Sequence, residues 1–505
     1  MDELLSEKYS NELDGVLSCY DRIVITGSLY PFCYAQGMTS YLYRHGIRIF
    51  DYAKFADGLR ERVRENAEAL ALANGLEIEF MRKKDFRKEN RVQQVLKKRG
   101  DQPGLVHIFG AMEVCSSYLP WHNKDTGQTY LKVGSSKCMT YYFYFIDEQL
   151  GLCYVRVPTW SPFRLQFYFN GHNWLANQLK QRGIAYKMLD NAFVHIDDYA
   201  AANQLANEFD VEILHQRLDA FARKYCPVAA ELKLTYYWSV MQSEYATDLV
   251  FKSRDTLRAF YPHLLETLPH AVKPADMATF LGRKRNGNYQ GEMGNRFNRR
   301  WTTTRIKHQM GPVSLKMYDK FNLILRLETT VNNVAFFKQY RQVQHRDGST
   351  TMGWTPMKKT IHSLPALREV LSAANQRYLK FISSIATPQV GVEPLHRLAE
   401  TKTEDQHRHQ GFNLFSEEDT CLFRTLLQGE FFISGFTSKQ LRTQYLSNKS
   451  ASQVTRLLKR LRVHGVIQKI GKRYQYYLTD FGRQTAAMAL KLREMLVIPT
   501  LVYAA

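Results

Sequence analysis

Hydrophobic and polar positions change period several times along this chain, and each change predicts a different element. Arg22-Ile-Val-Ile25 is a short apolar run closed by Thr26-Gly27-Ser28, the pattern of a buried strand. From Ala56 to Ala73, Leu59, Val63, Ala67 and Leu70 recur at helical spacing under a charged face, and Asn74-Gly75 supplies a stop. Leu76-Glu-Ile-Glu-Phe80 alternates as a strand, and Leu105-Val-His-Ile-Phe109 reads as another, ending at Gly110. The basic stretch between them, Met81 to Arg99, reads as a solvated helix face. Residues 1–128 are therefore expected to form an α/β domain.

Residues 129–280 are expected to be an antiparallel meander followed by helices. Thr140–Ile146 and Leu152–Val157 flank a hairpin connection, Arg164–Phe169 adds a third strand, and Asn170-Gly171 turns the chain into a helix over His172–Arg182. The many aromatics of these strands suit the core of a pleated sheet better than a platform for stacked bases. Residues 185–280 read as largely helical, and on a helix Glu244 and Asp248 share a face. Residues 281–398 read as a basic loop, then strands, then a helix over Trp354–Ile385. The polar run at 399–411, containing His407 and His409, reads as a linker.

Residues 412–505 give the clearest pattern. Ser416-Glu-Glu-Asp419 opens one helix, Thr437-Ser-Lys-Gln440 a second and Ser450-Ala-Ser-Gln453 a third, the last two as capping boxes. In the third, Val454, Leu457, Leu458 and Leu461 form the core stripe, while Arg456, Lys459, Arg460 and Arg462 lie largely off it. His464-Gly465 ends it, and a hairpin follows around Gly471-Lys472-Arg473. Three short helices and a basic-tipped hairpin resemble a winged-helix domain of the MarR-like kind. That resemblance implies a third helix in the major groove and a wing on the backbone, with Arg456, Lys459, Arg460, Arg462, Lys472 and Arg473 as the contacts. The expected class is thus α+β and multidomain: an α/β N-terminal part, an antiparallel centre with helices, and a C-terminal winged helix.

Charge narrows the function. Lys plus Arg number 69 against 48 Asp plus Glu, a formal charge of +21, which points to a polyanionic partner. Neither a run of the ~18 apolar residues a membrane span requires nor a signal-peptide pattern is present. The seven scattered cysteines form no C-x-x-C pair, so reduced thiols, a cytoplasmic setting and no membrane partner are expected. Walker A and dinucleotide fingerprints are missing, as are motifs of the RRM and KH kind.

A second basic approach, Arg283-Lys284-Arg285 with Arg299-Arg300, leads to Ser314-Leu-Lys-Met-Tyr-Asp-Lys320 and Leu325-Arg-Leu-Glu328. Tyr-Asp-Lys followed by Leu-Arg-Leu-Glu resembles a signature of rolling-circle replication initiators of the Rep-trans class. The resemblance implies a metal-dependent tyrosine nickase of a mobile element. By that resemblance Tyr318 would be the nucleophile, Lys320 a phosphate contact and Glu328 a ligand for Mg or Mn; the residues around them add Arg326 to the site and Asp248 or His308 as further ligands. The His-hydrophobe-His strand of the related HUH nickases has no counterpart. Strand register decides the matter, because side chains alternate. A two-residue loop at Phe321-Asn322 pairs Tyr318 with Leu325. A three-residue loop through Leu323 pairs it with Arg326 and Lys316 with Glu328, and this second register is expected. A non-catalytic winged-helix regulator and a protein binding structured RNA are the alternatives, and homo-oligomerisation stays open.

Overall fold

The computed structural model describes residues 4–82, 86–272, 276–283, 293–299, 304–385, 392–413, 415–446, 449–470 and 474–498. Across these the protein is α+β, with long strands and amphipathic helices in alternation. It divides into two compact units, each assembled from separated stretches. One, the sheet unit, is Ser18–Tyr245 with Thr330–Glu369; the other, the C-terminal unit, is Met1–Leu17, Ala246–Thr329 and Val370–Ala505. A consecutive reading into 1–128, 129–280 and 281–398 does not contain that interleaving. Among the described residues, no helix is long and apolar enough to cross a membrane.

In the sheet unit the expected strands are present and mostly longer. They are β1 (Leu13–Leu29, its later part here), β2 (Ile78–Phe80), β3 (Gly104–His122), β4 (Thr129–Asp147), β5 (Gly151–Pro158) and β6 (Leu165–Asn170). Their spatial order is β1-β6-β5-β4-β3-β2. All neighbours are antiparallel except β2 and β3, which are parallel and joined through the helix Lys88–Arg99. That helix buries Val92 against Val106, Phe109, Tyr142 and Tyr144 and leaves Lys97 and Lys98 in solvent, as a solvated basic face should. Alternation places Phe143 and Phe145 on one side of the meander, stacked with Tyr225. Tyr142 and Tyr144 take the other side, against Tyr154. Both faces are covered, so the aromatic strands are core, and burial pushes the Tyr142 and Tyr144 phenols up. Gly27 is needed where it stands: a Cβ there would meet the Trp238 ring at 2.5 Å.

Helices Tyr199–Asn207, Val211–Tyr225 and Arg254–Ala271 agree with the helical reading of 185–280, but three strands interrupt it. These are β7 (Tyr186–Leu189), β8 (Ala192–Ile196) and the 16-residue β9 (Tyr236–Phe251). Along β9, Tyr236, Trp238 and Val240 are buried while Tyr237 and Met241 are exposed, the period of a strand. Glu244 and Asp248 are therefore strand residues; a spacing of four satisfies both periods and could not separate them. Trp354 likewise lies in a strand, Thr350–Pro356, and the following helix begins only at Leu364.

In the C-terminal unit the end of β9 borders a second run of strands: β10 (Met293–Arg299), β11 (Thr304–Met310), β12 (Val313–Lys320) and β13 (Ile324–Val331), in the order β10-β11-β12-β13-β9. The chain's last part has helices Glu417–Leu426, Gly429–Ser434, Ser438–Tyr445 and Ala451–Val463, then paired strands Ile467–Lys469 and Gln475–Leu478. Both expected capping boxes form, at Thr437 with Gln440 and at Ser450 with Gln453. Val454, Leu458 and Leu461 enter a core with Leu422, Phe423, Leu426 and Leu441. The run expected as a linker is a small hairpin, Lys402–Glu404 with His407–His409.

Candidate functional site

The hairpin β12–β13 has two chemically different faces. Leu315, Met317, Leu325 and Leu327 are fully buried on one. The same side carries Thr329, whose hydroxyl meets Asn375 Oδ1 at 2.6 Å on the helix Leu364–Ile385. On the other face stand Lys316, Tyr318, Arg326 and Glu328. The Tyr318 hydroxyl donates to Glu328 Oε2 at 2.5 Å, and the Lys316 ammonium bonds the second oxygen, Oε1. Tyr318 is half-buried, whereas Glu328 is almost wholly enclosed.

The turn explains this arrangement. Phe321 and Asn322 both have positive φ, at 61° and 55°, as the centre of a tight hairpin turn requires, and Leu323 N–H donates to Lys320 O at 3.0 Å. The Leu323 carbonyl, however, accepts from Phe251 at 2.9 Å on β9. Leu323 is thus an extra residue beyond a two-residue turn, and the contacts are those of the polar-face register, with Lys316 opposite Glu328.

Arg326 and Asp248 form a bidentate pair, Nε to Oδ1 at 2.7 Å and the terminal nitrogen to Oδ2 at 2.6 Å. Both side chains are buried, at 0% and 1% exposure. A guanidinium so enclosed cannot reach a nucleic-acid phosphate, so Arg326 is a structural cation here and not an assistant at the reaction. Asp248, with both oxygens committed to it, is not presented as a metal ligand. His308 is absent from this face altogether. It pairs across the ladder with Leu315 and meets the Tyr378 hydroxyl at 2.7 Å, and burial lowers its pKa to about 4. The expected trio Glu328, Asp248 and His308 is therefore not brought together. Lys320 stands beside the turn with its ammonium 5.4 Å from the Phe321 ring centroid.

The cations of the Ala451–Val463 helix divide into three kinds. Arg456 is exposed. Arg460 is used internally: it donates to the carbonyls of Gln410 and Gly411 at 2.8 and 2.6 Å and lies over the Phe412 ring at 3.9 Å. It also faces Asp419 at 3.3 Å, and is a structural clamp rather than a groove contact. Arg462 and Lys459 are held by the acidic tip of the small hairpin, Glu404 at 3.2 Å and Asp405 at 3.7 Å. Between that hairpin and the helix runs an open groove of about 610 Å³ with Arg408, Lys449, Arg456 and Lys459 in its walls. His409, also in its wall, encloses a ring nitrogen, Nε2, with no hydrogen-bond partner. In sequence Arg408 and His409 read as linker because a polar tripeptide carries no period by which to recognise a strand, and Lys449, just ahead of the Ser450 cap, carries no signal of its own. Arg283 follows the short helix Asp276–Phe280, its N–H bonded to Ala278 O at 2.7 Å. Lys284, Arg285, Lys472 and Arg473 lie outside the described residues.

Compared with known proteins, the chain matches no family model, no curated protein and no solved structure.

Proposed function

We propose that this protein binds nucleic acid, DNA in preference to RNA, and cuts one strand through attack by Tyr318. The observation that carries the reading is the 2.5 Å bond from a half-exposed phenol to an enclosed carboxylate, Tyr318 to Glu328, on a polar face of a chain with charge +21. A phenol attacks phosphorus only as its proton leaves, and Glu328 Oε2 is placed to take that proton. The phenolic oxygen then bonds to phosphorus while one phosphorus–oxygen bond to the sugar breaks. The leaving oxygen takes a proton and becomes a free hydroxyl, and the other strand end stays attached to Tyr318. Lys316 and Lys320 contribute positive charge near the phosphate. Both Glu328 oxygens are engaged, Oε2 by Tyr318 and Oε1 by Lys316, so Mg or Mn would be held there only by displacing the Lys316 ammonium, and would then supply neutralising charge at the phosphate.

The Ala451–Val463 helix and the hairpin after it serve as the binding module in this reading, in the manner of a winged helix, with Arg456 as an exposed cation and the groove beside it following the backbone. The test is incubation of the full chain with supercoiled and single-stranded DNA in the presence of Mg or Mn. Nicking is expected, with Glu328→Gln slower by roughly 10²–10⁴-fold and chelator abolishing it. Equal rates for wild type and variant would overturn the role given to Glu328; binding without any cleavage would leave a non-catalytic nucleic-acid-binding protein.

A further inference from the structure

Far along the sequence from Tyr318, and within the sheet unit, three metal-ligating side chains converge. Glu212 and His215 stand three apart on the helix Val211–Tyr225 and so project from one face. His362 comes from the one-turn helix Ile361–Ser363. One potential ligand atom from each of the three lies within 4.8 Å of the other two. His362 Nδ1 is 3.1 Å from Glu212 Oε1, and the two imidazole rings meet edge to face with centroids 5.4 Å apart. Ligand atoms bound to one zinc ion at about 2.0–2.1 Å in tetrahedral array are about 3.4 Å from each other, so small side-chain rotations bring this set to coordination distance.

Both halves of the cluster rest on fixed backbone. The helix is anchored by Val211, Leu214, Leu218 and Ala222, all buried. The His362 turn is tied to β9 by Val240 N–H, which donates to Lys359 O at 2.7 Å, and Thr360 caps it. One helical turn beyond His215, Asp219 places a carboxylate oxygen 3.8 Å from His215 Nε2 while its other oxygen accepts from Trp238 Nε1 at 2.7 Å. At 3.8 Å this carboxylate is beyond hydrogen-bond distance of the ring and acts as a nearby negative charge, which favours a cation bound at His215.

We propose that Glu212, His215 and His362 form a binding site for a divalent transition ion, zinc above all. Two imidazoles and one carboxylate favour such an ion over Mg or Ca, which take oxygen ligands. Three protein ligands leave the fourth position to solvent, and the side chains are open enough for entry, at 72%, 36% and 42% exposure for Glu212, His215 and His362. The ion would clip the helix Val211–Tyr225 to the turn at His362, and by linkage would stabilise the folded chain. The site is independent of the Tyr318 chemistry.

The experiment uses the full chain, stripped with chelator and titrated with Zn and with Co. One equivalent is expected to bind. The cobalt form should show visible d–d absorption without a thiolate charge-transfer band, which separates this site from the free cysteines. His362→Ala and His215→Ala should each weaken binding by at least roughly 10–100-fold, and zinc should raise the melting temperature of the wild type but not of either variant. Glu212→Gln, an exposed and isosteric change, should weaken binding while leaving the metal-free melting temperature alone. Absence of stoichiometric binding, a thiolate band, or variants that bind as tightly as wild type would overturn the proposal.

Discussion

Arg326 and Asp248 show how a residue that looks chemical in sequence can be structural. Neither is accessible, and each cancels the other's charge inside the fold. Removing one partner leaves a buried charge, so Arg326→Met should cost ~3–5 kcal/mol in denaturant unfolding, and Arg326→Met with Asp248→Leu should recover most of it. His308 gives a pH prediction. Its folded pKa is lowered by burial to about 4 from 6.5, so the unfolded chain binds the extra proton between those values. The stability it contributes is present above pH 6.5 and lost as pH falls to about 4, by up to ~3 kcal/mol at 1.36 kcal/mol per unit. Asp319, pushed up to about 6 by burial, works in the opposite sense between about 4 and 6. The measurement is therefore the difference between wild type and His308→Gln, which should shrink towards acid; a constant difference would contradict a neutral buried imidazole. The sequence offered Arg326 and His308 as site residues because residue type and nearness to Tyr318 were all it could supply. The face each occupies depends on cross-strand partners that lie far off in sequence.

At the scale of elements, most of the fold was legible where period and punctuation agree. The helix at Tyr52–Ala73, the meander β4–β5–β6 and the capped helices after Ser416 all declare themselves in this way. Length was not legible: Arg22–Ile25 is the middle of a 17-residue strand, because polar positions on a half-exposed face interrupt the apolar run without ending the ladder. Alternation left two registers open for Tyr318, and the expected three-residue loop gives its contact with Glu328; the bond from Phe251 to the Leu323 carbonyl that goes with that loop was not legible. Phe321 at positive φ is a strained choice for that turn. Phe321→Asn should raise stability by ~0.5–1 kcal/mol, read as a higher denaturant midpoint at unchanged slope. The small hairpin offers a second test. Neutralising its tip with Glu404→Gln and Asp405→Asn frees Arg462 and Lys459, and exposed pairs of this kind are worth ~0.2–1 kcal/mol each. Nucleic-acid affinity should rise roughly 2–30-fold by that conversion, measured by fluorescence anisotropy against a charge-matched control, Glu65→Gln with Glu68→Gln. Equal gains in both would mean that net charge alone is responsible.

For the whole molecule, a charge of +21 implies that binding releases counterions. Affinity should fall steeply and log-linearly with salt, and Arg456→Ala should lower that slope by ~1. The proposed reaction goes further than binding and joins Tyr318 covalently to a cut strand. It is tested most directly by mass spectrometry of the full chain digested after reaction with a single-stranded oligonucleotide in Mn or Mg. A nucleotide-bearing peptide containing Tyr318 is expected, absent from Tyr318→Phe, which should still bind duplex DNA as the wild type does. An adduct on another residue, or cleavage that persists in Tyr318→Phe, would contradict it.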